Sequence, residues 1–494
     1  MFERISPERA GISSENILYF IKELEKYQLN THSLILAKGN NIISETYYAP
    51  FHKDFKHRLY SVSKSFVSVA LGLLIEDGKV SLDDKFIKFF PEYITEDECD
   101  EFLAEMTIRD ALRMETCNDR PIDWFHRFTD DRTKLYFETK NTYIPGTLFY
   151  YDSPASYMMN VIVEKITGKP FLEFMKDRFL REIGFSEDSY CLKCPGGYSF
   201  GDSGVMCSAR DLLTFARFVM NGGTWEGKRY MNEEYLKEAS SYQVANSLYD
   251  IFSHSTLGYG YQIWQAPDGG FAFLGMGDQL AICDRKRDFI MIINSDNQGS
   301  TNSKFIIYHS LYEDIIEKLG EPLAEDPDAY NELLQYESTR RLNGLGDAKY
   351  SPAAEKISGR TYTLSENPMG IKTIRFEFDS NGGTIYYLNA QGCKAIGFGW
   401  GENVFQTFPQ TGYSDMIAGA PCPGNTYECA ASGGWLEEKK LHIKVQAIDK
   451  YFGTLHMAFS FKDSRIVVKM EKVAEAFFEE YQGIALGETE ENPF

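Results

Sequence analysis

The sequence predicts an α+β fold: helices around an antiparallel sheet over the first two thirds of the chain, then an all-β barrel or sandwich. Three observations lead there. The chain has 494 residues, 43% apolar and 25% charged, which is ordinary globular composition and more than one core usually organises. Up to residue 320, segments with helical spacing surround a block of strand-like runs at 257–296. Beyond residue 355 the runs KTIRFEFDS, GTIYYLNA, KKLHIKVQAI, GTLHMAFSF and RIVVKMEK alternate apolar and polar positions with short turns between them.

Residues 14–28, SENILYFIKELEKYQ, put Ile17, Phe20, Ile21 and Leu24 on one helical face behind a Ser cap. SLILAKGNNIISETYY follows as a hairpin turning at Gly39-Asn40. From Ser61 to Gly78 the chain is apolar around most of its circumference and ends at Gly, which predicts a buried central helix. TIRDALRM, SPASYMMNVIVEKITG and SARDLLTFARFVMNGG predict further helices at 107–114, 153–168 and 208–223. GYGYQIWQA, GGFAFLGM, QLAICD and DFIMIINS read as consecutive antiparallel strands, and SKFIIYHSLYEDIIEKLG as a closing helix. The polar, Pro- and Gly-containing stretch that follows predicts a first domain at 1–325, a linker at 326–354 and a β domain at 355–494 with one short helix near EAFFEEY. No repeat marks a solenoid.

The net charge of −21 argues against a nucleic-acid surface. Charges interrupt the N-terminal segment where a signal peptide needs an apolar run, and no run reaches membrane-spanning length, so a cytoplasmic chain with no membrane partner is expected. Nine cysteines thinly spread fit reduced thiols. Cys191 and Cys194 in CLKC stand without a second Cys/His pair at ligand spacing, and neither a metal nor a cofactor is expected. There is no G-x-S-x-G elbow, H-E-x-x-H, Walker loop or dinucleotide-binding glycine motif. None of the eight histidines stands in a triad context, so each is expected to be structural.

A hydroxyl nucleophile needs a base within hydrogen-bond reach, and residues at i and i+3 at the start of a helix share a face. Ser61 and Lys64 meet that requirement. The helix start supplies unpaired N–H groups for developing negative charge, and burial in an apolar helix favours a neutral Lys64 amine.

The surrounding LYSVSKSFVSVALGLLIEDGKVSLDD resembles the class C β-lactamase and penicillin-binding-protein-like serine hydrolases, whose helix runs S-x-x-K, apolar stretch, acidic-Gly-Lys, Leu-Asp-Asp. TIRDALRM, PGTLFYYDSPASYMMNVIVEKITGKPF and SGVMCSARDLLTFARFVMNGGTWEGK resemble later segments of that family in the right order, so that the likeness spans about residues 5–320. The resemblance implies a β-lactamase-like domain with a helical subdomain and an acyl-Ser61 intermediate. It also implies that Tyr151 of the family's Y-x-N motif exchanges a proton with Ser61 or the leaving group, titrating low beside the Lys64 ammonium. Ser153 replaces the motif's Asn. It reads either as a retained polar group of the site or as an N-cap ahead of Pro154.

The family's third motif, Lys-Thr-Gly or His-x-Gly, falls at Gly275, Met276 and Gly277. Without its cation and hydroxyl, recognition of a substrate carboxylate is weakened. The resemblance places the oxyanion hole at the backbone N–H groups of Ser61 and Asp278, and it is nearest to the esterase and 6-aminohexanoate-oligomer hydrolase branch. The Asp278 side chain has two readings: a cleft carboxylate that favours cationic substrates, or a turn residue pointing away. The β domain resembles lipocalin-like modules appended to such hydrolases. The expected function is hydrolysis of a small ester or amide. A silent ligand-binding module and a true β-lactamase or D-amino-acid peptidase are the alternatives.

Overall fold

Strand β1 (Glu3–Arg4) leads to helix α1 (Ser14–Lys26), whose Ser13 cap accepts from the Asn16 N–H and whose buried face holds Ile17, Phe20, Ile21 and Leu24. The hairpin follows as strands β2 (Thr31–Lys38) and β3 (Asn41–Tyr47), with Gly39 at φ 57° in the turn. The computed structural model describes residues 2–95, 99–118, 124, 128–248, 256–346, 350–475 and 477–494. They divide into a first unit, Met1–Arg341 with Met416–Gly419, and a second, Leu342–Asp415 with Ala420–Phe494.

In the first unit a two-residue strand β4 (His57–Arg58) precedes helix α2 (Ser63–Glu76), buried on all sides from Ser63 to Leu74. Gly72 is required there, because a Cβ would meet the Tyr235 ring at 2.3 Å. Helix α5 (Ser153–Thr167) packs against α2, and the short helices α3 (Ile108–Leu112) and α4 (Arg132–Phe137) pack against α5. Strands β5 (Tyr190–Cys191) and β6 (Val205–Cys207) flank a loop that leads into helix α6 (Ala209–Met220), which begins with a Ser208–Asp211 capping box. Phe66 of α2 stacks on Phe215 of α6 at 3.7 Å, and each such buried ring contributes roughly 1.5–3 kcal/mol.

Strands β7 (Trp264–Gln265), β8 (Phe271–Gly275), β9 (Gln279–Asp284) and β10 (Phe289–Ser295) complete a seven-stranded sheet in the order β1-β3-β2-β10-β9-β8-β7. All of its pairs are antiparallel except β1 with β3. Of the predicted run GYGYQIWQA only Trp264–Gln265 is strand. Positive φ at Gly258 (114°) and Gln262 (60°) breaks the remainder. Helix α7 (Ser303–Ser310) ends sooner than expected and passes through a π turn at Leu311–Ile315 and a 3-10 turn at Ile316–Lys318. Residues 326–341, expected as linker, instead carry helix α8 (Pro327–Ser338), capped by Asp326, with Leu333 buried in the core of the first unit.

The second unit is a closed β-barrel. Its strands are β11 (Thr361–Leu364), β12 (Thr373–Phe378), β13 (Gly382–Asn389), β14 (Gly392–Trp400), β15 (Val404–Thr407), β16 (Glu428–Glu437), β17 (Lys440–Ile448), β18 (Phe452–Lys462), β19 (Arg465–Ala474) and β20 (Gly483–Glu488). The ring runs β14-β13-β12-β11-β20-β19-β18-β17-β16 and closes where Gly399 and Trp400 pair with Ser432 and Gly433; β15 adds to the edge of β16. Phe376, Phe398, Trp435, Phe459 and Phe461 are buried, and Gly433 leaves the Phe398 ring the space a Cβ would take at 2.4 Å. The helix expected at EAFFEEY is absent: the described residues 477–481 form a turn with Phe478 at φ 62°, because burying Phe477, Phe478 and Tyr481 between β19 and β20 outweighs local helical preference. Ala476 lies outside the described residues. No described helix is long and apolar enough to cross a membrane.

Candidate active site

Strand β4 pairs with β6, His57 with Cys207 and Arg58 with Met206. The Leu59 N–H donates to Val205 O (2.9 Å), and the Val205 N–H donates to Ser63 Oγ (3.0 Å). The buried Arg58 guanidinium donates to Ser203 O and Oγ, both at 3.0 Å, and lies 4.1 Å over the Tyr60 ring. These bonds hold Tyr60 at φ 48°, a conformation that costs about 1–3 kcal/mol in a residue other than glycine. Ser61 therefore sits in a 3-10 turn, Tyr60–Val62, ahead of α2 rather than in its first turn as the sequence suggested.

Lys64, 1% exposed, aims back at that turn. Its Nζ donates to Ser61 Oγ (2.9 Å) and to the main-chain oxygen of Asp202 (2.7 Å), and lies 5.1 Å from the centre of the Tyr151 ring. The Tyr151 hydroxyl is hydrogen-bonded to Ser61, and its ring stacks on Trp264 at 5.5 Å and 25°. Burial pushes the Tyr151 hydroxyl well up, and the bond to Ser61 draws it only partly back. The expectation that the phenol titrates low is thus reversed, because desolvation outweighs the hydrogen bond from Ser61 and the Asp202 charge adds to the rise. Of the two groups, Lys64 is the better placed to act as base.

Ser153 is not the cap of α5. That role belongs to Asp152, whose Oδ1 accepts from the Ala155 N–H (3.0 Å) and whose Oδ2 accepts from Thr116 Oγ1 (2.8 Å) and Asn118 Nδ2 (3.5 Å). Ser153 is the first helical residue, nearly buried, with Pro154 next. Burial pushes the Asp152 carboxyl up to about 6 against the pull of these donors and of Lys64. Asp202 is matched to it: burial raises its carboxyl to about 6, opposed by Lys64 and Arg132.

The third-motif residues form the tip of the β8–β9 hairpin. Gly275 pairs with Gln279, Met276 is 37% exposed, and Gly277 and Asp278 take positive φ of 72° and 65°. Gln279 Nε2 donates to Met276 O (3.0 Å) and Ser295 O (2.6 Å), Ser295 Oγ donates to Asp278 O (3.0 Å), and the Asn297 N–H donates to Gly277 O (3.1 Å). The turn is fixed before any substrate arrives. It also lies against the turn that carries Ser61: a Cβ on Gly275 would stand 2.4 Å from Leu59 O. The Asp278 carboxyl is buried, accepts from Asn297 Nδ2 (3.0 Å) and bonds Ser303, so it belongs to the turn's support. Burial raises it, and those two bonds oppose the rise.

Sequence reasoning brought Ser61, Lys64 and Tyr151 together and missed four neighbours. Asp202, Trp264 and the Asp152 carboxyl carry no local signature. Gln262 donates through Nε2 to Ala111 O and Leu112 O and accepts from Ser65 and Ser156 hydroxyls, tying α2, α3 and α5 together; its positive φ was hidden inside an apparent strand. His57, whose Nε2 lies 2.8 Å from His32 Nδ1 and whose Nδ1 lies 3.0 Å from Arg58 O, is pushed down to about 3 by burial and serves the framework.

Comparison with known proteins follows the same lines. A family model described as beta-lactamase matches residues 19–309, more than half of the chain. A 6-aminohexanoate-dimer hydrolase of Paenarthrobacter ureafaciens is 26% identical over 221 residues, 42% of this chain and 56% of that protein, so the match spans little more than half of that relative's length. Among solved structures, the octameric penicillin-binding protein homologue of Pyrococcus abyssi aligns with 96% of this chain and 99% of its own, at 15% identity and a TM-score of 0.50. EstCE1, a hydrolase with promiscuous acyltransferase activity, aligns over 60% of this chain and 99% of its own, also at 15% identity and a TM-score of 0.50. The structural likenesses speak for the fold; the family match, over the segment that carries Ser61, Lys64, Tyr151 and the 275–278 turn, places the chain in the beta-lactamase family.

Proposed function

We propose that the protein is a serine hydrolase acting on a small ester or amide through an acyl-Ser61 intermediate. The observation that carries this reading is the 2.9 Å bond between Lys64 Nζ and Ser61 Oγ in a buried setting with Tyr151 alongside. Lys64 takes the Ser61 proton as Oγ bonds the substrate carbonyl carbon. The N–H groups of Ser61 and Asp278, on the two turns that meet where Gly275 lies against Leu59 O, receive the oxyanion. Tyr151, kept protonated by burial, passes a proton to the leaving group, and water then releases the acyl group from Ser61. The 6-aminohexanoate-dimer hydrolase supports an amide-directed reaction. Gly275 and Met276 offer no side-chain partner for a substrate carboxylate, which favours neutral acyl groups over penicillins. The test is intact-protein mass spectrometry after exposure to a fluorophosphonate, with p-nitrophenyl esters for turnover. A single adduct that Ser61→Ala abolishes is expected, with turnover reduced at least about 100-fold by Lys64→Ala or Tyr151→Phe. A Ser61→Ala protein that is labelled and turns over like its parent rejects the reading.

A further inference from the structure

Lys64 is enclosed by titratable groups from several elements. Ser61 lies on its own turn, Tyr151 and Asp152 precede α5, and Asp202 comes from the loop ahead of β6. Asp202 in turn faces Arg132 of α4 and the thiols of Cys191 and Cys194. The Arg132 guanidinium is itself buried, stacked 4.1 Å over Trp124 and 5.2 Å over Phe200. Asp202 holds Lys64 by its main-chain oxygen at 2.7 Å, and the carboxyl of the same residue, which makes no ion pair with Lys64 among the described residues, still feels its charge. That carboxyl has no exposed surface. Among the described residues its Oδ1 has no side-chain or ion-pair partner and Oδ2 receives one long bond, from Trp124 Nε1 at 3.4 Å, with the residue's own N–H as a further weak donor. An ionised carboxylate normally gathers several donors, so a site this poor in them lets the acid form compete with the anion.

We propose that Asp202 and Lys64 share one proton, and that Ser61 becomes nucleophilic in the arrangement that places the proton on Asp202. This rests on Ser61 being the nucleophile. With the proton on Lys64, the ammonium donates to both Ser61 Oγ and Asp202 O. With the proton on Asp202, the neutral amine still donates to Asp202 O, and its lone pair now accepts the Ser61 hydroxyl proton. The pair exchanges its proton with solvent, its net charge is the same in both arrangements, and no co-reactant is needed. Asp202 acts as a positioning residue for that proton and touches no substrate.

The experiment follows the rate of Ser61 labelling by a fluorophosphonate, by intact mass, from about pH 5 to about pH 9, in the wild type and in Asp202→Asn. The amide keeps an acceptor for Trp124 and leaves the main-chain bond to Lys64 in place. Because a nearby carboxylate favours the ammonium, its removal lowers the pH at which Lys64 becomes neutral by roughly one to three units. The expected result is a two-step rise of rate with pH in the wild type and a single step at lower pH in the variant. Superimposable profiles, or a uniform loss of rate with no shift, overturn the proposal. Absence of any adduct on the wild type overturns the hydrolase reading instead. A second measurement needs neither Ser61 labelling nor a folded Asp202 variant: the infrared band of a protonated carboxylic acid in protein made with ¹³C-aspartate, recorded near pH 6 on the Asp152→Asn/Asp278→Asn double variant, since burial also raises Asp278. A persisting band supports the shared proton, and its absence rejects it.

Discussion

Gly275→Ala tests whether the Ser61 turn and the β8–β9 hairpin work as one surface. A Cβ at this position would lie 2.4 Å from Leu59 O and 3.0 Å from the Gln279 Cβ, against ordinary contacts that begin at 3.4 Å. Leu59 cannot retreat cheaply, because its N–H is bonded to Val205 O and the next residue is already held at positive φ. The hairpin must therefore move away by about 1 Å, and overpacking of this kind costs about 1–3 kcal/mol. The same displacement carries the Asp278 N–H away from the proposed oxyanion position. Loss of one such donor lowers the rate by about 100- to 1,000-fold, similar to the penalty for a 1 Å misplacement of reacting groups. The assay compares kcat/KM on a p-nitrophenyl ester with the urea midpoint of unfolding, in parent and variant. A large loss of rate with a modest loss of stability is expected. A variant that keeps its parent's kcat/KM would show that the hairpin tip does not hold the oxyanion.

Three further outcomes follow from the same geometry. Asp152 and Asp202 have folded values of about 6, above the ordinary carboxyl range, so the folded state binds more protons than the unfolded one between about pH 4 and pH 6. Their joint contribution to stability is thus fully present at the acid end, falls as pH rises through that window and is flat above it, by about 1–3 kcal/mol for each group; urea titrations of wild type and the double Asn variant should diverge in that sense, and parallel curves refute it. Short-chain esters should be cleaved faster than nitrocefin, because Gly275 and Met276 give a carboxylate nothing to bind; saturating nitrocefin turnover at low concentration would identify another anchor. Asp278→Asn should leave any preference between amine-bearing and neutral esters unchanged, since the carboxyl is bonded to Asn297 and Ser303 inside the protein, and a selective loss on the amine-bearing esters counts against that placement.

How much of this was legible in the sequence depended on how far apart the partners lie along the chain. Ser61 and Lys64 were readable because three residues of helical spacing place them together, and α1, α6 and the β2–β3 hairpin because their periods and caps are local. Tyr151 was readable only through resemblance to a family. Asp202 was not readable at all: it acts through a main-chain oxygen on a lysine 138 positions away, and nothing in GDSG announces that. Helix α8 was misread as linker although Asp326 and Pro327 are a proper cap and first residue, because its single buried leucine leaves almost no apolar stripe. The run EAFFEEY erred in the other direction, since its rings follow the demands of the barrel core rather than a helical period. The N-cap reading given to Ser153 belongs one position earlier, to Asp152, which local propensity cannot resolve when both residues are good caps.

The seam of the barrel has a consequence for how such a chain is assembled. Strands β11 and β20, the first and last strands of the barrel along the chain, are hydrogen-bonded neighbours, with Thr363 opposite Glu488 and Leu364 opposite Gly487. Every strand of the ring belongs to residues 342–494, so closure borrows no strand from the preceding 341 residues. A module whose entrance and exit share one ladder can be joined to a host chain at a single place without interrupting its own hydrogen bonding. By the same token, new termini cut into the β18–β19 turn and a short bridge across the old ones would give the same circle of strands in a different order.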